Sequence, residues 1–138
     1  MEDNSIFVDS DVFIDIGTQR VQYFKDSLNA LQSVLDSSFT LCTSSLIVSN
    51  IFYIISKELN QKEAQTFCEY ILDITTVLPF ASSHIKSSFS SDFKDKEDGF
   101  NYLIAKENKC KLIITRNVKD FNKSRIPVKT PKTFLTDK

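Results

Sequence analysis

The chain has 138 residues, a formal net charge of −1 at pH 7, 41% hydrophobic residues and 25% charged residues. This length suits one globular unit, so we predict a single domain spanning residues 1–138. With only 2 Gly and 3 Pro, the composition excludes a disordered chain or a loop-rich scaffold. The apolar runs are far shorter than the ~20 residues that span a bilayer, which excludes a transmembrane helix and predicts no membrane association.

The elements predicted from apolar periodicity alternate between strands and helices. The apolar run Ile6–Val8 is typical of a central strand, and Lys111–Thr115 is the clearest strand signal of all. Helical spacing of apolar residues follows most of the strands. In chain order we predict a strand at 6–8, a helix from Asp11 ending near Gly17, a helix at about 18–35 with Val21 on its apolar face, a strand at 39–43, a helix capped by Ser44 or Ser45, a helix capped by Asn60, a strand at 75–78, a small helix at about 82–89, a helix at about 95–108, a strand at 111–115 and a short edge strand at 126–128.

This alternation predicts the fold class, an α/β protein with a central parallel sheet covered by helices on both faces. Strand–helix–strand units of this kind are right-handed and build parallel sheets. Ligands of such sheets bind beyond the carboxyl ends of the strands. Asp9 directly follows the first predicted strand, and Asn117 comes just after the strand at 111–115. We therefore expect both side chains to face the same crevice.

Acidic residues in two distant stretches point to a metal site at that crevice. Asp9 and Asp11 follow the first strand, whereas Asp95 and Asp98 are three residues apart at the start of a predicted helix. Mg²⁺ and Mn²⁺ prefer oxygen ligands, and converging carboxylates repel one another unless a cation lies between them. Acidic residues in a first helical turn also stabilise the helix, so Asp95 and Asp98 alone are consistent with capping. Asp9, at the end of an apolar strand, favours function.

The basic residues are concentrated toward the C-terminus. Residues 1–105 carry 15 acidic and 7 basic side chains, whereas residues 106–138 carry 3 acidic and 10 basic ones. Such a surface can hold a polyanion beside a metal site, although a solvated lysine-rich surface explains the pattern equally well. The candidates for contacts with nucleic-acid phosphates are Arg116, Lys119, Lys123 and Arg125.

The cysteines indicate a reducing compartment. Cys42, Cys68 and Cys110 are odd in number and lack C-x-x-C spacing, which favours buried, reduced thiols. An aspartate as early as position 9 is inconsistent with a secretory signal peptide. We therefore expect a cytoplasmic protein.

Four segments, in order along nearly the whole chain, resemble the PIN-domain ribonucleases, including the toxins of VapBC-type toxin–antitoxin pairs. An apolar strand followed by Asp-x-Asn/Asp and an apolar helix is the first pattern of that family. The family's later patterns are a helix after the second strand, an aspartate-rich helix start and a T-x-D/N-x-x-D-F element. The matching segments are FVDSDVF at residues 7–13, TSSLIVSNIF at 43–52, DGFNYLIA at 98–105 and TRNVKDF at 115–121, with SRIPVKTP at 124–131 resembling a C-terminal pattern of bacterial members.

The resemblance implies a three-layer α/β/α sandwich and a metal-dependent endoribonuclease. Asp9 and Asp98 match the two aspartates that bind metal in the family, and Asp95 and Asp120 are plausible auxiliary acids. Asp9 and Asp98, helped by Asn117 or Asp120, would hold one or two Mg²⁺ or Mn²⁺ ions, which activate water and stabilise charge at the phosphate. Thr115 could hydrogen-bond a metal ligand or phosphate.

The resemblance also supplies the expected partners. It implies RNA rather than DNA as the substrate, in single-stranded or loop form where the scissile phosphate is accessible. A small cognate antitoxin protein and a homodimer are implied as well. Phe52 and Tyr53 are candidates for the dimer surface.

Two departures from the family pattern keep an alternative open. Asn50 occupies a position where the family often has glutamate, and Asn117 one where it often has aspartate. An amide supplies an oxygen ligand but no charge, which lowers metal affinity. A non-catalytic PIN-fold module that binds RNA or protein is therefore an alternative. A second one is a haloacid-dehalogenase phosphatase, whose Asp-x-Asp-x-Val start resembles Asp9–Val12, although this chain has no insertion large enough to form a cap.

Overall fold

The computed structural model describes residues 4–137, which form a five-stranded parallel sheet flanked by helices. The elements within these residues are β1 (Ser5–Val8), α1 (Ser10–Gly17), α2 (Phe24–Leu35), β2 (Thr40–Ser44), α3 (Ser45–Glu58), α4 (Gln61–Ile74), β3 (Thr76–Leu78), α5 (Ser82–Phe89), α6 (Lys96–Glu107), β4 (Leu112–Ile114), a 3₁₀ helix (Val118–Phe121), β5 (Val128–Lys129) and α7 (Pro131–Thr136). The predicted α/β/α sandwich is confirmed. Of the predicted domain, residues 1–3 and 138 lie outside the described residues.

The sheet order is β3-β2-β1-β4-β5, and every neighbouring pair of strands is parallel. The N-terminal strand β1 therefore lies at the centre, where all four of its residues are buried. Its last residue, Val8, is in register with Ile114, the last residue of β4. The backbone N–H of Asp9 continues this pairing by donating to the carbonyl of Ile114 at 3.0 Å. This register aligns the residues that follow β1 with those that follow β4.

Apolar and β-branched residues form the core on which this edge rests. Phe7, Phe13 and Phe121 are among the largest side chains that are fully buried. Phe121 packs edge-to-face against Phe93 with ring centroids 6.0 Å apart, which attaches the 3₁₀ helix to the segment before α6. The core therefore holds in place two segments that reach the carboxyl edge of the sheet.

The predicted helix at 18–35 was wrong over its first turn and a half. α2 begins at Phe24, and Val21, predicted on its apolar face, is 99% exposed. Gln19 has φ of 52°, a left-handed conformation that a helix cannot continue through. The chain therefore turns before α2 starts, and Val21 lies on that turn.

The last strand is also displaced from its predicted position. β5 comprises Val128 and Lys129, because the Ser124 hydroxyl donates to the Ile126 carbonyl and accepts from the Ile126 N–H, at 2.6 and 3.0 Å. Ile126 is thereby held in a turn. Pairing with β4 alone makes β5 an edge strand, as Pro127 predicted. The short helix α7, capped by Thr130, was not predicted.

The cysteine prediction is confirmed, since Cys42, Cys68 and Cys110 are free and buried. Among residues 4–137, no helix combines the length and apolar character needed to cross a membrane.

Candidate active site

Three carboxylates converge at the carboxyl edge of the sheet. Asp95, Asp98 and Asp120 each place one carboxylate oxygen within 4.8 Å of the others. Asp95 and Asp98 come from the start of α6, and Asp120 comes from the 3₁₀ helix after β4. We call Asp95, Asp98 and Asp120 the acidic cluster. The sequence analysis placed Asp9 and Asp11 with Asp95 and Asp98, whereas the 4.8 Å grouping contains neither Asp9 nor Asp11.

Helix capping positions the first two members of the cluster. Asp95 is the N-cap of α6, and its Oδ1 accepts from the backbone N–H of Asp98 at 3.0 Å. Asp98 Oδ2 is buried without a hydrogen-bond partner among the described residues. Burial and the negative charge of Asp9 raise the pKa of Asp98 to about 8. A buried, unpartnered carboxylate oxygen among other carboxylates is a candidate cation ligand.

Asn117 orients the third member. Its side-chain N–H donates to Asp120 Oδ2 at 2.6 Å, and both residues are exposed. Asn117 was predicted as a catalytic residue, and its amide here contacts a carboxylate of the cluster. The amide thus fixes Asp120 without adding negative charge to the site.

Asp9 lies beside the cluster and is held by two hydrogen bonds. Its Oδ1 accepts from the Ser10 N–H at 2.8 Å, which caps α1, and its Oδ2 accepts from the Thr115 hydroxyl at 2.8 Å. Burial raises its pKa, against the lowering effect of the Thr115 hydrogen bond, and Asp95 raises it further. Asp9 is not within the 4.8 Å grouping, although its charge acts on Asp98.

Asp11 lies at the same edge of the sheet, against the residues that follow β4. Its Oδ2 accepts from the backbone N–H of Arg116 at 3.1 Å and lies 3.3 Å from the Thr115 hydroxyl. Its Oδ1 is buried without a partner among the described residues. Burial and neighbouring Asp9 raise the pKa of Asp11 to about 7. A second unpartnered buried carboxylate oxygen therefore lies next to Asp9.

Asp15 and Tyr23 were not predicted as site residues, yet they determine where Arg116 lies. Asp15 is fully buried, and its two oxygens accept from Arg116 Nε and Nη2 at 2.6 and 3.0 Å. The guanidinium carbon lies 3.9 Å from the centroid of the Tyr23 ring. The available signal was a carboxylate inside the apolar helix α1, a residue type that is rarely buried without a charged partner.

The remaining predicted residues lie around this edge. Lys119, Lys123 and Arg125 are exposed on and after the 3₁₀ helix, which leaves their charges available to an anion. Arg116 has its guanidinium engaged by Asp15, so its contact with phosphate stays a prediction. Asn50 is half-buried on α3.

These features fit a divalent cation. Converging carboxylates, unpartnered buried oxygens on Asp98 and Asp11, and raised carboxyl pKa values all mark a site whose negative charge is uncompensated by protein groups. A hard cation such as Mg²⁺ or Mn²⁺ takes oxygen ligands of this kind. The donor set is therefore suited to the predicted metal.

Comparison with known proteins gives a consistent assignment. Residues 5–119 match the family model described as PIN domain. The chain is 32% identical over 139 residues to Ribonuclease VapC1 of Aquifex aeolicus, with 97% of this chain and 95% of that protein covered.

Solved structures share the fold at lower sequence identity. VapBC2 from Rickettsia felis, bound to a DNA fragment from its promoter, matches with a TM-score of 0.68 and 13% identity over 91% of this chain and 96% of that chain. VapC20 of Mycobacterium tuberculosis, a sarcin–ricin loop cleaving toxin, matches with a TM-score of 0.66 and 10% identity over 78% of this chain and 86% of that chain.

Proposed function

The chain belongs to the PIN domain family, and from that premise we propose that it is a divalent-metal-dependent endoribonuclease acting in the cytoplasm as the toxin of a toxin–antitoxin pair. The observation that carries the proposal is the convergence of Asp95, Asp98 and Asp120 within 4.8 Å, beside the buried Asp9. The 32% identical relative is named a ribonuclease, which supports RNA as the substrate. Membership of this family also argues against the phosphatase alternative.

The residues of the acidic cluster, with Asp9, would hold the cation. A bound Mg²⁺ or Mn²⁺ supplies Lewis acidity and lowers the pKa of a bound water. Asp98 and Asp120 supply carboxylate oxygens, and the Asn117 amide orients Asp120 through its 2.6 Å hydrogen bond. Thr115 and the Ser10 N–H fix the carboxylate of Asp9.

The exposed basic side chains bind the RNA substrate. Lys119, Lys123 and Arg125 lie next to the acidic cluster in sequence, and they contact backbone phosphates irrespective of base identity. These contacts bring a phosphodiester to carboxylates that would otherwise repel it. Affinity for RNA should therefore fall steeply with added salt.

The proposal is tested by incubating the purified protein with a mixed pool of single-stranded RNA and Mn²⁺ or Mg²⁺. We expect cleavage that a chelator abolishes and that Asp98→Asn reduces at least about 100-fold, which corresponds to losing transition-state stabilisation of roughly 3 kcal/mol. Glu97→Gln is the matched control, because Glu97 is an exposed neighbour on the same helix outside the cluster.

The same experiment decides between the proposal and a non-catalytic module. Asn50 and Asn117, which lack the charge of an acid, favour that alternative. Absence of both cleavage and metal binding would contradict the nuclease and support a binding module. Metal binding that depends on Asp98, without cleavage of the pool, would direct the search to a structured RNA.

We also propose a small antitoxin protein as a partner. The Rickettsia felis neighbour is a VapBC complex, which supports this assignment. Co-expression with the product of the adjacent reading frame should give a stable complex and suppress cleavage. Independent elution of the two proteins on gel filtration would contradict it.

A homodimer is proposed through the α3 helix. Tyr53 on α3 is 61% exposed, with the partly buried Phe52 beside it. Sedimentation should report a dimer that Tyr53→Lys dissociates, because a buried unpaired charge opposes association. A monomeric wild-type protein at high concentration would refute this proposal.

A further inference from the structure

A cavity of about 420 Å³ lies beside the acidic edge of the sheet. Its walls include the start of α2, the second residue after β4 and the first turn of α7. The lining residues that carry the argument are Gln22, Tyr23, Asp26, Arg116, Pro131 and Lys132. This volume is in the range of pockets that hold small organic ligands.

Arg116 joins the cavity to the candidate active site. Its backbone N–H donates to Asp11 Oδ2 at 3.1 Å, while its side chain forms part of the cavity wall. One residue thus contacts both places. The cavity therefore adjoins the edge of the sheet that carries Asp11, and we expect the base of a nucleotide whose neighbouring phosphate binds at the carboxylates to reach it.

An ion pair and a cation–π contact orient the side chains of the wall between the two. Asp15 is fully buried and holds the Arg116 guanidinium through hydrogen bonds of 2.6 and 3.0 Å. The guanidinium in turn lies 3.9 Å from the centroid of the half-buried Tyr23 ring. The aromatic ring is consequently fixed before any ligand arrives, which reduces the entropy lost on binding.

The lining chemistry favours a neutral base over a phosphate. Arg116 has its charge compensated by Asp15, and the opposite charges of Lys132 and Asp26 leave no surplus of free positive charge in the wall. The wall instead offers an aromatic ring, an amide at Gln22 and a carboxylate at Asp26. Protein sites read unpaired bases with this combination of stacking and edge hydrogen bonds.

We propose that this cavity is a nucleobase subsite, which binds the unpaired base of a nucleotide adjacent to the scissile phosphate. The ring of Tyr23 supplies the stacking surface, and Gln22 and Asp26 hydrogen-bond the edge of the base. The inference rests on the proposed ribonuclease function and deepens it, because such a subsite makes cleavage selective for base identity next to the cut.

The first test measures binding without catalysis. Adenosine, guanosine, cytidine and uridine are titrated separately into the protein and followed by NMR, with inorganic phosphate as a fifth ligand. We expect at least one nucleoside to bind, and Tyr23→Ser to weaken it between about 5-fold and 150-fold, the range expected for one base–aromatic stack. Tyr23→Phe retains the ring and should bind like the wild type, as should Asp98→Asn.

Three results of this titration would overturn the proposal. They are the absence of nucleoside binding, nucleoside binding that Tyr23→Ser leaves unchanged, and binding of phosphate alone. Thermal melting checks that Tyr23→Ser is folded. Asp26→Asn, which keeps side-chain volume and replaces an acceptor by a donor, gives a second variant that should alter which nucleoside binds best.

The second test reads base preference during cleavage. A randomised single-stranded RNA is cut by the wild type, Asp26→Asn and Glu63→Gln, and the ends are sequenced. We expect a wild-type preference at one position beside the cut that Asp26→Asn changes. Glu63→Gln is the matched control, an exposed acid in the first turn of α4.

The two tests separate the subsite from the nuclease. Nucleoside binding without cleavage and without metal binding would sustain the subsite and reject the proposed function. Cleavage whose preference Asp26→Asn does not alter would reject the subsite and keep the nuclease. Loss of antitoxin binding in Asp26→Asn, with nucleoside binding and cleavage unchanged, would assign the cavity to a protein interface and overturn the proposal.

Discussion

The hydroxyl of Thr115 donates to Oδ2 of Asp9 at 2.8 Å, across 106 positions of sequence. Thr115 Oγ1 also accepts from the Asn117 N–H at 3.0 Å and lies 3.3 Å from Asp11 Oδ2. One hydroxyl therefore connects the residues that follow β1 with those that follow β4. The position of the Asp9 carboxylate depends on a side chain that carries no charge itself.

Removing this hydroxyl should affect both stability and metal binding. Thr115→Val leaves a buried carboxylate oxygen without a donor, so we expect the free energy of unfolding to fall by about 1–3 kcal/mol. Affinity for Mn²⁺ should fall about 10- to 100-fold, as when other groups that orient a metal ligand are removed. Urea unfolding and metal titration measure the two effects. Thr115→Ser should restore both, and a Thr115→Val protein with unaltered metal affinity would contradict the role.

Breaking the Asp15–Arg116 ion pair should lower the free energy of unfolding more than breaking any other ion pair among the described residues. Arg116→Ala leaves the fully buried Asp15 without a charged partner and with only the Ser27 hydroxyl as a side-chain donor, so the unfolding free energy should decrease by about 3–5 kcal/mol. Arg20→Ala, which breaks an exposed pair with Glu58, should cost about 1 kcal/mol or less. Urea denaturation compares the two variants.

A double variant distinguishes an unpaired charge from lost packing. Replacing both partners, as Asp15→Leu with Arg116→Met, should be less destabilising than Arg116→Ala, because no buried charge remains. A double variant that is less stable than the single one would show that packing of Arg116 on Tyr23 dominates.

The stability of the metal-free protein should fall as pH rises. The pKa values of Asp11 and Asp98 are raised to about 7 and about 8 from 3.8, so the folded chain holds these protons more tightly than the unfolded chain. Their stabilising contribution is complete below about pH 4 and is lost as pH rises through the folded values. Melting temperature in chelating buffer should therefore decrease from about pH 6 to about pH 8.

Metal and Asp98→Asn should each counteract that decrease. Mn²⁺ binds deprotonated carboxylates, so it should raise the melting temperature more at pH 8 than at pH 6. Asp98→Asn should flatten the pH dependence, whereas Glu97→Gln should leave it unchanged. Equal slopes for the wild type and Asp98→Asn would refute the assignment of the raised pKa to Asp98.

Gly99 should be intolerant of a side chain. A Cβ at this position would collide with the Ser88 hydroxyl and lie 3.3 Å from Phe93 Cβ, because α6 approaches α5 closely there. Gly99→Ala should therefore destabilise the protein by about 1–3 kcal/mol, although alanine favours helix. Thermal melting should show the loss, while Lys106→Ala on the exposed face of α6 should stay within about 0.5 kcal/mol of the wild type. A more stable Gly99→Ala protein would show that α5 moves enough to accommodate the added methyl group.

The strands and the carboxyl edge could be predicted from sequence because they depend on local signals. β1 and β4 are short apolar runs bounded by polar residues, and parallel pairing then places Asp9 and Asn117 at one edge. Asp95 and Asn60 were identified as helix starts because capping depends on the residue itself.

The remainder depends on tertiary structure. The start of α2 was misplaced because the left-handed residue in the preceding turn is Gln19, whereas glycine or asparagine would have indicated such a turn in the sequence. The partnership of Asp15 with Arg116 joins α1 to the end of β4, which no local pattern encodes. The helix α7 had a usable signal in Thr130 and Pro131, a cap followed by proline at the first helical position.

The central position of β1 has a consequence for synthesis of the chain. β1 is synthesised before its neighbour β4, and the 3₁₀ helix that carries Asp120 follows β4. A nascent chain that stops before Asp120 lacks part of the acidic cluster and cannot complete it. Pairing across such sequence separations is also slow to form. If the chain is the proposed nuclease, a nascent chain therefore carries an incomplete acidic cluster until synthesis has passed Asp120.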